Sequence, residues 1–241
     1  MSAHRRLLVW LLPIVILELL SSCTLVPTER VYTIRQEWYR INPNTLLKSI
    51  KEKTSDAFVL LDSPPDDLQS SWNSNWKQED FLTIANALHE FVWNESLESW
   101  NLYKIDFRLT CDKIGVGYYN AHFAYYKILT IDGQKTRIVH EITIDPDSNS
   151  TIVLEKEYSP VVMNWPAIEE KRIKISVDEA IRIAEYNGGF KARAEVNNSC
   201  YISIYLSPGA VEQKKWTISY QKSRSEKIFR IEINPYTGVA K

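Results

Sequence analysis

The chain has 241 residues, with 29 Lys and Arg against 30 Asp and Glu, a net charge of −1, and 44% hydrophobic against 24% charged residues. These proportions exclude disorder or collagen-like repetition for the chain as a whole, and they leave no basic footprint for nucleic acid. The length is enough for one large domain or two small ones, each able to bury a core.

At the start, His4, Arg5 and Arg6 precede an apolar run from Leu7 to Leu17, and Leu20-Ser21-Ser22-Cys23 follows. That order predicts a secretory signal peptide over residues 1–22. The last four residues resemble the lipobox of bacterial lipoproteins, which implies that Cys23 is the lipidated first residue of the mature protein. Residues 23–30 then form a tether, and the folded part is expected on the extracytoplasmic face of the cell membrane, held there by lipid. The competing reading is an uncleaved anchor, against which Pro13, Glu18 and a run shorter than the usual span of about 20 residues all count. One acyl chain binds marginally, so stable attachment needs further chains or contacts.

Residues 31–75 read as an N-terminal extension. Asn42-Pro43 can cap and begin a short helix through Thr45–Lys53, Ala57–Leu61 reads as a strand, and Pro64-Pro65-Asp66-Asp67 as a turn. A loop over 62–78 carries Trp72 and Trp76 in polar surroundings.

Two stretches downstream resemble each other. An offset of 89 lays Ile144-Asp145-Pro146 on Ile233-Asn234-Pro235, Ile142 on Ile231 and Cys111 on Cys200, while Asp80–Ala85 matches Glu179–Ala184 at a larger offset. The expected organisation is therefore two similar units, 76–158 and 173–241, joined by a linker over 159–172 in which Trp165 packs down. Each unit opens with a helical pattern: Phe81, Ile84, Ala85, Leu88 and Val92 in the first, Val177, Ala180, Ile181 and Ala184 in the second. Ser176 and Glu179 have capping-box spacing, and Gly188-Gly189 is expected to stop the second helix. The period then drops to 2. Tyr103–Leu109, Ala121–Ile131, Thr136–Ile144 and Thr151–Tyr158 read as strands, followed later by Tyr201–Leu206, Trp216–Tyr220 and Ile228–Ile233. The fold class is α+β, each unit a helix packed on an antiparallel sheet.

The second unit resembles a PepSY-like domain through Ile175–Ala184, Trp216–Tyr220 and Ile231–Gly238, and the first looks like a diverged copy with Lys127 in place of Trp216. The resemblance implies an exported module that regulates envelope peptidases or binds other envelope components, and it supplies no catalytic residues.

The chemistry-bearing residues are sparse. Cys111 and Cys200 remain as an even pair once Cys23 is assigned, which an oxidising exterior would allow to bridge. Two free buried thiols, or a reactive or metal-binding pair, stay open. His89-Glu90 starts like a zinc-peptidase helix but Trp93 stands where the second imidazole belongs, so a helix-surface histidine is expected. Asp145–Asn149 lacks the glycine and bidentate glutamate of a calcium loop and reads as a turn. His140 shares strand parity with Ile138, Ile142 and Ile144 and fits core packing or a polar pocket. His122 sits among aromatics without a visible partner.

No phosphate loop or cofactor motif occurs, so no cofactor is implied. The leading functional expectation is a lipid-anchored module that binds an envelope protein or peptide. Its surface would comprise Trp72, Trp76, Tyr118, Tyr119, Tyr125, Tyr126 and His140. The alternatives are a hydrolase whose site assembles in space around His140 or His122, and a structural envelope protein.

Overall fold

In the computed structural model, which describes residues 28–65, 76–118, 120–207 and 215–241, the first strand is one that periodicity did not mark. β1 (Arg30–Ile41) runs directly into helix α1 (Pro43–Glu52), whose start follows the expected chemistry. The Asn42 side chain accepts from the Asn44 amide at 3.1 Å, and Pro43 occupies the first turn, where its missing N–H costs nothing. A short strand β2 (Phe58–Leu61) returns to pair with Trp38–Ile41 alone.

Helix α2 (Gln78–Trp93) buries Phe81, Ile84, Ala85 and Leu88, as its 3.6-residue pattern requires. Four antiparallel strands follow: β3 (Asn101–Thr110), β4 (Asn120–Ile131), β5 (Gln134–Asp145) and β6 (Ser150–Ser159). Helix α3 (Val177–Ala184) starts at Ser176, whose hydroxyl accepts from the Glu179 amide at 3.2 Å. The helical course is interrupted at Asn187 and Gly188, where the glycine pair was expected to stop it. The chain makes a wide turn through Glu185–Gly189, with Gly188 at φ +119°, and resumes as α4 (Phe190–Glu195). The turn is held because Tyr220 reaches it: its hydroxyl donates to Glu185 Oε1 at 2.6 Å and packs where a Cβ on Gly189 would stand. Strands β7 (Tyr201–Ser207), β8 (Lys215–Gln221) and β9 (Lys227–Ile233) complete the fold.

Among the described residues, the nine strands join one antiparallel sheet in the order β2-β1-β6-β5-β4-β3-β7-β8-β9. The protein is thus a single α+β domain, and the expected division into two separate helix-on-sheet bodies is not what forms. The reason lies in β3 and β7, which pair from Ile105↔Leu206 to Thr110↔Tyr201 and leave no exposed edge between the halves. The front segment is no appendage either, because β1 pairs with β6 through most of its length.

One sheet face carries Ile105, Phe107, Phe123, Ile142, Ile204, Trp216, Ile218 and Ile233 into a continuous core with Leu46, Phe81, Leu88, Val177 and Ile181 of the helices. Fully buried Trp216 satisfies its indole N–H on the Ile175 carbonyl at 2.8 Å. The opposite face has a smaller cluster of Tyr103, Ala124, Tyr126, Val139 and Tyr158, over which Trp165 folds.

Cys111 and Cys200 are bridged, with Cα atoms 5.3 Å apart. Their expected equivalence is corrected by the strands. Cys111 follows the end of β3 while Cys200 precedes the start of β7, so the bridge joins the two at one end of their ladder instead of relating matched positions. The backbone reinforces the junction, since the Cys111 amide donates to the Cys200 carbonyl at 2.9 Å.

Candidate functional site

The chain leaving the disulfide turns through Cys111–Lys113 and runs past Gly115 to Tyr118, over the N-terminal ends of α2 and α3. Those ends meet: the Val177 amide donates to the Gln78 side-chain oxygen at 2.9 Å. The result is a groove of about 480 Å³ with Leu109, Ile114 and Ile181 as its apolar floor, Trp76 and Tyr118 as aromatic walls, and Lys77 and Arg182 on the rim. Phe81 fixes both walls edge-on, with ring centroids 5.2 Å from Trp76 and 6.0 Å from Tyr118. The Tyr118 hydroxyl donates to Asp178, and burial together with that carboxylate pushes the phenol well above its ordinary range. The wall is therefore a neutral, rigid aromatic at any physiological pH.

Two expected surface residues lie elsewhere. Tyr125 and Tyr126 are consecutive in β4 and so point to opposite faces, both buried. Tyr125 donates to Asn86 of α2 at 2.7 Å, whereas Tyr126 donates to the Trp165 carbonyl on the far side. They form no common surface. Trp72, Tyr119 and Cys23 lie outside the described residues.

His140 is part of a buried polar core that includes a residue expected on the surface. His89 is 0% exposed and His140 2% exposed, and His140 Nδ1 lies 2.9 Å from His89 Nε2. Trp93 and Trp100 stack on His140 with both centroids at 3.9 Å, which is possible only if they cover its two faces. Glu155 accepts from the Trp93 indole at 2.9 Å and stands 3.9 Å from His140 Nε2. Nδ1 of His89 is buried without a hydrogen-bond partner. One of the two imidazoles donates to the other across the His140 Nδ1–His89 Nε2 contact, and the Glu95 backbone favours the protonated form of His89 against burial. Burial holds His89 down to about 4, and burial followed by His89, Lys127 and Arg35 holds His140 down to about 2. Both are neutral at pH 7. His89 was legible in part, one turn beyond Ala85 on the flank of the apolar stripe; the two tryptophans and Glu155 gave no sequence signal that they would converge.

On the face away from the helices, His122 of β4 places Nδ1 3.1 Å from the Thr143 hydroxyl of β5. Asp106 of β3 is its cross-strand neighbour, 7% exposed, with Oδ1 buried and unpartnered. Lys104 and Arg108 reach only its other oxygen, at 4.0 and 3.8 Å. Burial pushes the Asp106 carboxyl up, and burial followed by Lys104, Lys156 and Arg108 takes His122 down to about 3. The neutral imidazole stands where it could take the Thr143 proton, although, held down to about 3, it is a weak base at neutral pH. Among the described residues, no group of three His, Cys, Asp or Glu side chains is arranged to hold a metal, and no helix is long and apolar enough to cross a membrane.

No family model and no curated protein matches the chain. Among solved structures, that of full-length peroxisomal multifunctional enzyme type 2 from Drosophila melanogaster is similar at 11% identity and a TM-score of 0.19. The match covers 100% of this chain and 51% of that one, so the chain spans about half its length. At that score the likeness carries no argument about fold or activity.

Proposed function

We propose that the protein is an extracytoplasmic module, lipid-anchored through Cys23, that binds an extended peptide segment of an envelope partner in the groove walled by Trp76 and Tyr118. The observation that carries this reading is the meeting of those two aromatics, 42 residues apart in the chain, over an apolar floor of Leu109, Ile114 and Ile181. A groove of about 480 Å³ takes one or two large side chains, and rigid aromatic walls lose little entropy on binding. The Cys111–Cys200 bridge supports export, because such bonds persist outside the reducing cytosol. Selection from a displayed peptide library should enrich sequences with an apolar or aromatic anchor, and Trp76→Ala or Tyr118→Ala should weaken the enriched peptides at least tenfold. Enriched peptides indifferent to both substitutions would reject the groove. Incorporation of labelled fatty acid that vanishes in Cys23→Ser tests the anchor separately.

The two-unit, PepSY-like ancestry belongs to the same proposal. On either side of the β3–β7 junction a helical segment precedes antiparallel strands, four in the first half and three in the second, and the offset of 89 lays buried Ile142 and Ile144 on buried Ile231 and Ile233. These correspondences support one unit giving rise to the other.

The His122–Thr143 contact favours a second reading, a hydrolase in which His122 takes the Thr143 proton, with Asp106 as its neighbour across the β3–β4 ladder. Turnover of an activated ester abolished by Thr143→Val and by His122→Asn would establish it. Turnover surviving both would reject it. His140 is 2% exposed with its Nδ1 engaged by His89, so it offers no ring nitrogen to a substrate in this structure.

A further inference from the structure

Between α1 and α2 lies a second and larger groove, about 750 Å³, that the peptide reading does not use. Its walls are two helical stripes. Thr83, Asn86, Glu90 and Asn94 recur along α2, and Ser49, Ile50 and Lys53 line the last turn of α1. Thr54, Ser55 and Asp56 close one end, and Phe58 and Phe91 supply the aromatic floor.

Three features make it a built site. The Tyr125 hydroxyl donates to Asn86 Oδ1 at 2.7 Å, and burial pushes that phenol far above its ordinary range, so it remains a donor and fixes the amide flip. The Asn86 NH₂ therefore has both donors left for the groove. Phe91 is 38% exposed yet held in place, stacked on Phe58 at 5.5 Å and edge-on to Tyr39 at 6.0 Å. Ser49 accepts from the Ala57 amide and donates to the Thr54 carbonyl, which pins the α1–β2 turn against the helix. The groove thus presents a flat ring and the Asn86 amide beside the exposed Glu90 carboxylate, its Ser49, Thr54 and Thr83 hydroxyls being engaged within the protein, and Lys53 stands among Asp56 and Glu90 so that no strong excess of charge lines it.

We infer that this groove binds a neutral oligosaccharide of two or three rings. A pyranose matches the set in two ways. Its C–H-lined face packs on an exposed aromatic ring, and its vicinal hydroxyls pair with planar carboxylates and amides that offer two atoms side by side. A strongly charged ligand finds no matching excess of countercharge, and a purely apolar one would strand the Asn86 and Asn94 amides.

The test is titration of the folded protein with cellotriose, chitotriose and maltotriose, followed by amide NMR shifts and calorimetry. At least one should bind saturably and shift residues around Phe91 and Glu90. Glu90→Gln, which keeps bulk, and Phe91→Leu, which removes the flat ring, should each weaken it about tenfold, and Trp76→Ala should leave it unchanged. That last control separates this site from the peptide groove. The inference is overturned if none of the three sugars binds at millimolar concentration, if binding ignores the Glu90 and Phe91 changes, or if trilysine binds in their place through Glu90 and Asp56.

Discussion

Three histidines held neutral inside the fold make its stability a function of pH, and the size of the effect follows from their burial. In the unfolded chain an imidazole takes a proton near pH 6.5, whereas burial holds His89 to about 4, His122 to about 3 and His140 to about 2. Between those limits the unfolded state binds protons that the folded state refuses, so stability is full above pH 6.5 and falls as the pH drops towards 4. Each imidazole contributes about 1.4 kcal/mol per pH unit in that window. At pH 4.5 the three together remove about 8 kcal/mol, which is comparable with the whole stability of a typical domain, about 5–15 kcal/mol. Carboxyl groups modify this without reversing it: Asp106 and Glu170, raised by burial, gain stability on acidification, and Glu37, lowered mainly by its hydrogen bond to Arg35, loses it. Equilibrium urea unfolding followed by circular dichroism at pH 7.5 and 4.5 measures the difference directly. In His140→Phe, which keeps a flat ring between Trp93 and Trp100, the pH difference should shrink by about 3 kcal/mol. A parent protein whose stability changes by less than about 1 kcal/mol across this range would refute the account.

Replacing Cys111 and Cys200 by alanine together frees a crosslink spanning 89 residues. The chain-entropy model then expects a loss of about 4–5 kcal/mol in the same unfolding assay, which reduction of the parent should reproduce. Arg137, with a fully buried side chain, bonds Glu29 at 3.0 Å and the Met163 carbonyl and lies 3.7 Å from the Trp165 ring. Arg137→Met should cost about 2–4 kcal/mol by stranding Glu29, and should raise protease sensitivity in residues 160–168. Gly189→Ala would set a Cβ 2.7 Å from the Tyr220 hydroxyl and 2.9 Å from the Ala184 carbonyl. It should lower stability by about 2 kcal/mol, read as a drop in melting temperature; a variant as stable as the parent would show that the turn relaxes.

The strands from β3 onward could be read in the sequence because each has one face in the core, so Phe107 and Leu109, Phe123 and Tyr125, or Ile142 and Ile144 announce themselves by alternation. β1 hid because it is exposed along its first five residues and only half-buried beyond: Arg35 and Glu37 pair with each other at 2.7 Å, Tyr39 bonds Glu37, and only Tyr39 and Ile41 are buried, so no alternation shows. The joining of β3 to β7 was equally invisible, since edge pairing is made by backbone groups that every residue carries. At the site, Trp76 and Tyr118 were legible as aromatics near loops. Their shared floor was not, because Ile114 and Ile181 come from segments with no local relation. His89 misled for a related reason. A histidine beside a glutamate looks solvent-facing until a second imidazole supplies its partner.

The longest-range pairing in the sheet sets a timetable for the chain as it is made. β1 leaves the ribosome first among the strands, yet its main neighbour β6 begins at Ser150, and the register that joins Arg40 to Ser150 waits for more than a hundred further residues. At about 5–20 residues per second, that wait is about 5–20 s. For that time Val31, Tyr32 and Ile34 belong to a strand without its mate, and whatever accompanies the nascent polypeptide must keep it from finding another.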